Sequence, residues 1–123
     1  MTDVLKVYHG TSFENLASIL KEGIRPPSFW TYKHQAMVTY AGIAEMQGYG
    51  GAVIAVHVGD HRWHEMNKQN LNFLPIEGTA HEAYCIMESN GIGIICLEHI
   101  SPDAIEVVYT GEPDLNKRRF KRS

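Results

Sequence analysis

Apolar and polar residues alternate from Val4 to Tyr8, the period of a half-buried strand, and the run ends in His9-Gly10-Thr11-Ser12. A helix is predicted next. Phe13, Leu16, Ile19 and Leu20 recur at helical spacing, Thr11 or Ser12 stands at the N-cap, and Lys21 lies in the last turn. Gly23 supplies the stop, with Pro26 and Pro27 just beyond. A short aromatic segment, Ser28 to Tyr32, then precedes a second helix over Lys33 to Met46, with Ala36, Met37, Tyr40, Ala41 and Ile43 as its apolar positions and Gly48, Gly50 and Gly51 at its end. Ala52 to Val58 is rich in β-branched residues and almost uninterrupted in its apolarity, so it is expected mid-sheet with both faces covered.

Residues 59–81 carry no firm period and contain His61, Trp63, His64, Asn67, Asn70, Pro75 and Gly78, the pattern of an excursion over whatever the domain binds. Ala83 to Met87 and Ile92 to Leu97 are predicted as two strands around Ser89-Asn90-Gly91, because Asn-Gly favours a tight turn. Ser101-Pro102-Asp103 should cap one short turn before a last strand, Ile105 to Tyr109. The sum is an α+β domain: five or six short strands in an antiparallel or mixed sheet, and two N-terminal helices. Strict βαβ alternation is absent, which argues against a doubly wound sheet.

At 123 residues and 44% apolar content the chain can fill one core and not two, so a single domain is expected over residues 1–111 with a basic tail over 112–123. The formal charge of −3 hides an asymmetry, since Lys117, Arg118, Arg119, Lys121 and Arg122 supply five of the 11 basic residues. Residues 1–116 therefore carry 6 basic groups against 14 acidic ones, a difference of −8. So acidic a body repels phosphate backbones on average, while the tail could reach a nucleic acid or an acidic surface. Apolar runs are too short to span a bilayer, and the first residues lack a basic and apolar leader, so a cytoplasmic protein with no membrane partner is expected. Cys85 and Cys96 lie in apolar segments without C-x-x-C spacing and are read as reduced core residues.

His9-Gly10-Thr11-Ser12, between a strand and a helix, offers a plausible nucleotide cradle. The glycine permits close backbone approach, the hydroxyls and free helix-start N–H groups can hold polar or anionic groups, and the imidazole can bond a sugar hydroxyl. His57, His61 and His64 fall at i, i+4, i+7 beside Asp60 and Glu65, a pattern that can bind zinc on one helix face. Gly59 breaks that run, so these are read as exposed loop histidines and no metal is expected. Trp30 and Trp63 are read as core residues before stacking platforms.

Val7-Tyr8-His9-Gly10-Thr11-Ser12, followed by Leu16-x-x-Ile19-Leu20-x-x-Gly23-Ile24, resembles the first motif and helix of the ADP-ribosyltransferase superfamily. Phe29-Trp30-Thr31-Tyr32, the helix with Ala36 and Tyr40-Ala41, Gly50-Gly51 and the following strand are similar to the second motif. Ile100-Ser101-Pro102-x-x-Ile105-x-x-Val108 is similar to the closing segment. The likeness implies a split β-sheet that clamps NAD as co-substrate, with transfer of ADP-ribose to a protein or nucleic-acid acceptor and release of nicotinamide. It would make His9 the group on the nicotinamide ribose, with Gly10 touching the carboxamide through its backbone and Thr11 and Ser12 beside the adenosine half. Thr31 or Tyr32 would line the nicotinamide pocket, and Tyr40 would stack on the ring. The family's catalytic glutamate falls, counting back from Ile100, on Gly91 or Gly93, so Glu88 and Glu82 are the nearest candidates. The RNA 2′-phosphotransferase branch also lacks that acid, and Glu88-Ser89-Asn90-Gly91-Ile92 is similar to its closing segment, yet Arg25 and Arg62 are the only arginines between His9 and the tail. A silent nucleotide-binding module, or an inhibitor-like protein whose acidic body mimics nucleic acid, remains a third class.

Overall fold

The alternation around Tyr8 and the apolar run around Ile54 become two long, paired strands. The computed structural model describes residues 5–66, 73–90 and 93–114. In chain order it contains β1 (Lys6–Ser12), α1 (Phe13–Glu22), β2 (Ser28–Trp30), α2 (Lys33–Gln35), a π-helical stretch Ala36–Ala41, α3 (Gly42–Met46) and β3 (Gly51–His57). Then follow β4 (His64–Met66), β5 (Phe73–Pro75), α4 (Ala80–Asn90), β6 (Ile94–Cys96) and β7 (Glu106–Gly111). The class is α+β, as expected, with two antiparallel sheets in the orders β1-β3-β7 and β2-β6-β4-β5.

β3 is the central strand of the first sheet, and every residue from Gly51 to Val56 is buried. Its alternate residues feed two cores. Ala52, Ile54 and Val56 join Val7, Leu16, Trp30 and Met87 on one face, and Val53 joins Ala36 and Ala41 on the other. Burial of each such aliphatic side chain is worth about 1.5–3 kcal/mol, which is why the two-sided apolar run holds this strand in the middle. Ala36 and Ala41, one π-turn apart, press on β1 and β3, and a Cβ on Gly10 would run into the Ala36 carbonyl oxygen. Gly10 is thus required for close helix-on-strand approach.

Ser12 has the extended geometry of an N-cap although its hydroxyl makes no capping bond, and Gly23 ends α1 with a φ of 82°. Leu20 is exposed rather than on the apolar face. Ser101 Oγ accepts from the Asp103 amide at 3.3 Å and starts the short 3-10 turn at Pro102, as expected. Trp30 and Trp63 are core residues, and each indole N–H is satisfied, by Ser28 Oγ and the Val58 carbonyl at 2.8 Å.

Three expectations are corrected. Ala83 to Met87 is helix, not strand: Ala80, Ala83, Tyr84 and Met87 are spaced to face one core, and the Glu82 amide donates to Thr79 Oγ1 at 3.3 Å at the start of the helix. Residues 59–81 are not merely an excursion, since β4 and β5 complete the second sheet and Trp63 anchors them in the core. Strands of three residues are too short to print a period. Cys85 is exposed on α4, whereas Cys96 is a buried free thiol as expected. No helix among the described residues is long and apolar enough to cross a membrane. Asn67, Asn70, Gly91, Ile92 and the basic residues from Lys117 onward lie outside the described residues.

Candidate functional site

The two sheets meet where Tyr8 and Thr31 exchange backbone hydrogen bonds, both 2.8 Å. This seam organises the sequence-derived site. Strand alternation puts His9 and Thr11 on the Val7 face of β1, and Gly10 and Ser12 on the Tyr8 face. His9 Nδ1 donates to the Phe29 carbonyl at 2.8 Å, and the ring lies 5.3 Å from the Trp30 ring. That bond fixes the tautomer and leaves Nε2 as an acceptor. Burial pushes the imidazole below its ordinary value, outweighing the opposite pull of the Phe29 carbonyl, so the ring is neutral at neutral pH.

Thr31 is buried at the seam, and Tyr32 leads out of it as the N-cap residue of α2. Tyr32 meets the Tyr84 ring edge-on at 6.0 Å. Burial first, then the Glu88 carboxylate and Tyr84, push the Tyr32 phenol above its ordinary value. Tyr84 and Glu88 are four positions apart on one face of α4, the face whose Tyr84 ring meets Tyr32. Glu82 is elsewhere. Six residues before Glu88, it is turned about 240° around the helix axis, and its carboxylate folds back over Gly78 in the first turn. Its backbone amide donates to Thr79 Oγ1, half of the capping arrangement that the spacing Thr79-x-x-Glu82 spells.

Thr11 Oγ1 is engaged locally, accepting from Asn15 Nδ2 at 3.1 Å. Tyr40 has its Cβ against Gly10, on the face of β1 away from His9, and its half-exposed ring is 6.2 Å from Phe29. At Gly93, one of the two positions where the resemblance would put an acid, a Cβ would collide with the Trp30 carbonyl oxygen and the Phe29 ring. No side chain fits there. Glu45, unremarked in the sequence, accepts a short hydrogen bond from Tyr109, which together with burial and the carboxylate's charge pushes that phenol up.

The three histidines of the 57–64 segment do not converge. His57 is exposed at the end of β3, His64 is half-buried in β4, and His61 is not an exposed loop residue, since nine-tenths of its side chain is buried. Arg25 and Arg62 are both exposed. Three cavities lie around His61, Gly78 and Ala80. Compared with family models, curated proteins and solved structures, the chain finds no match.

Proposed function

We propose that this chain is an ADP-ribosyltransferase that binds NAD at the seam between its two sheets and passes ADP-ribose to a macromolecular acceptor. The observation that carries the reading is His9: neutral, half-buried, locked through Nδ1 onto the Phe29 carbonyl, and offering Nε2 to a ribose hydroxyl. The resemblance of His9-Gly10-Thr11-Ser12 to the superfamily's first motif and the division of the strands into two antiparallel sheets support the same reading. In the reaction the bond between ribose C1′ and the nicotinamide nitrogen breaks and its electron pair leaves with nicotinamide. The acceptor's nucleophilic atom then bonds to C1′ and gives up its proton. The positive charge that builds on the ribose needs a nearby negative group, and Glu88, on the α4 face that carries Tyr84, is the carboxylate this proposal assigns to it.

Nicotinamide release should therefore be seen with wild-type protein and cell lysate as the acceptor source. It should be lost in His9→Ala, fall about 100-fold or more in Glu88→Gln, and be unchanged in Glu82→Gln. Release that survives His9→Ala would overturn the assignment. The closed position at Gly93 favours a second reading, a module that binds NAD or ADP-ribose without turnover. It predicts an NAD-dependent rise in the wild-type melting temperature, absent in His9→Ala, with no nicotinamide formed at all.

A further inference from the structure

β4 and β6 are joined through the pairing of His64 with Ile95. His61 and Trp63 lie just before that pair on one segment, Cys96 and Glu98 just after it on the other, and the Arg62 amide reaches across to the Glu98 carboxylate at 3.1 Å. Three of the four are metal-ligand types. A ring nitrogen of His61, the Cys96 sulfur and a Glu98 carboxylate oxygen all lie within 4.8 Å of one another. His61 Nδ1 is 3.3 Å from Glu98 Oε1, close to the roughly 3.3–3.8 Å that separates neighbouring donors on a tetrahedral zinc ion.

The His61 ring is itself withdrawn from water. Nine-tenths of the side chain is buried, and Nε2 has no hydrogen-bond partner among the described residues. The ring is held edge-on by Trp63 at 6.1 Å. Glu98 is oriented independently, since its Oε1 also accepts from the Arg62 amide at 3.1 Å.

We propose that His61, Cys96 and Glu98 form a site for a divalent cation of the zinc class. One nitrogen, one thiolate and one carboxylate suit a borderline-soft ion and do not suit Mg²⁺ or Ca²⁺, which want oxygen alone. Binding displaces the thiol proton to solvent and forms the sulfur–metal bond, with no change of oxidation state. Three protein ligands leave a fourth position for water or an exogenous group. The ion would clip β4 to β6 where the ladder between them is short. It lies outside the proposed NAD site and does not depend on that reading.

Cobalt(II) added to untagged, reduced, full-length protein is the direct probe. The expected result is saturable one-to-one binding with the visible bands of tetrahedral cobalt and a thiolate charge-transfer band, all displaced by Zn²⁺. Cys96→Ser should abolish the charge-transfer band, and Cys85→Ser should leave it intact. His61→Gln and Glu98→Gln, which spare the buried thiol, should each lose the tetrahedral bands and so decide the matter even if Cys96→Ser fails to fold. With free Zn²⁺ about 100-fold above its Kd, the unfolding equilibrium of the wild type should shift about 100-fold toward the folded state. Failure of wild type to bind cobalt or zinc stoichiometrically, or a charge-transfer band that follows Cys85, would overturn the proposal. NAD binding measured in the same variants should be unchanged, which separates this site from the seam.

Discussion

His9 and His61 are the end members of one file of aromatic contacts: His9 meets Trp30 at 5.3 Å, Trp30 meets Trp63 at 6.3 Å, and Trp63 meets His61 at 6.1 Å. His9 is half-buried, His61 is nine-tenths buried, and each ring is held by a tryptophan. The partner of Nδ1 separates them. His9 Nδ1 donates to a backbone carbonyl, which carries no charge and leaves Nε2 of a neutral ring as an acceptor. His61 faces a carboxylate, with a thiol in reach. The same side chain is thereby suited to a sugar hydroxyl in one region and to a cation in the other. A histidine's chemistry is set by its neighbours' charge and softness, which sequence spacing alone does not report.

Trp30→Ala is the severest way to break this comparison, because Trp30 is fully buried and touches both regions. It should cost about 3–5 kcal/mol in denaturant unfolding and weaken NAD and cobalt binding together. A loss confined to one ligand would mean that the regions are independent. Gly10→Ala acts on one side only. The new methyl must push Ala36 and Tyr40 away, at about 1–3 kcal/mol, and should impair NAD binding while cobalt binding persists. Equal stability in thermal melts would show that the contact yields freely. Tyr109→Phe removes the bond to Glu45, which involves neither histidine, and should cost about 1 kcal/mol with neither ligand affected.

The smallest effect is a pH dependence. Because burial holds the folded-state His9 value below the ordinary 6.5, the unfolded chain takes up its proton first as pH falls. The stability linked to neutral His9 is fully present above about pH 6.5 and declines through the window just below it. His9→Gln should flatten the slope of unfolding free energy against pH there by less than one proton. Superimposable slopes for variant and wild type would contradict the lowered value.

The first sheet was readable from the chain because its strands are long and locally consistent. Val4 to Tyr8 alternates, Ser12 and Gly23 punctuate α1, and Ile54 lies within an apolar run that only a doubly covered strand explains. α4 was misread because Tyr84 and Ile86 favour strands and Asn90-Gly91 favours a turn, while the helical spacing of Ala83 and Met87 and the cap at Thr79 pointed the other way. That error put Glu82 and Glu88 on strands. On a helix they separate, with Glu88 on the Tyr84 face and Glu82 in the first turn. His9 was legible because strand, motif and helix are contiguous. His61, Cys96 and Glu98 were not, because they meet through a cross-strand register between segments more than thirty residues apart, and only the alternation His61-x-Trp63 and Cys96-x-Glu98 hints at it.

The two tryptophans in the middle of the aromatic file are the only ones in the chain. Intrinsic fluorescence of this protein therefore comes from a pair of indoles close enough to exchange excitation, with an imidazole at each end whose charge or ligation changes the quenching. Emission becomes a label-free optical readout of both regions. Titrating NAD and a diamagnetic ion in turn on unmodified protein should alter the lifetime of a different indole each time.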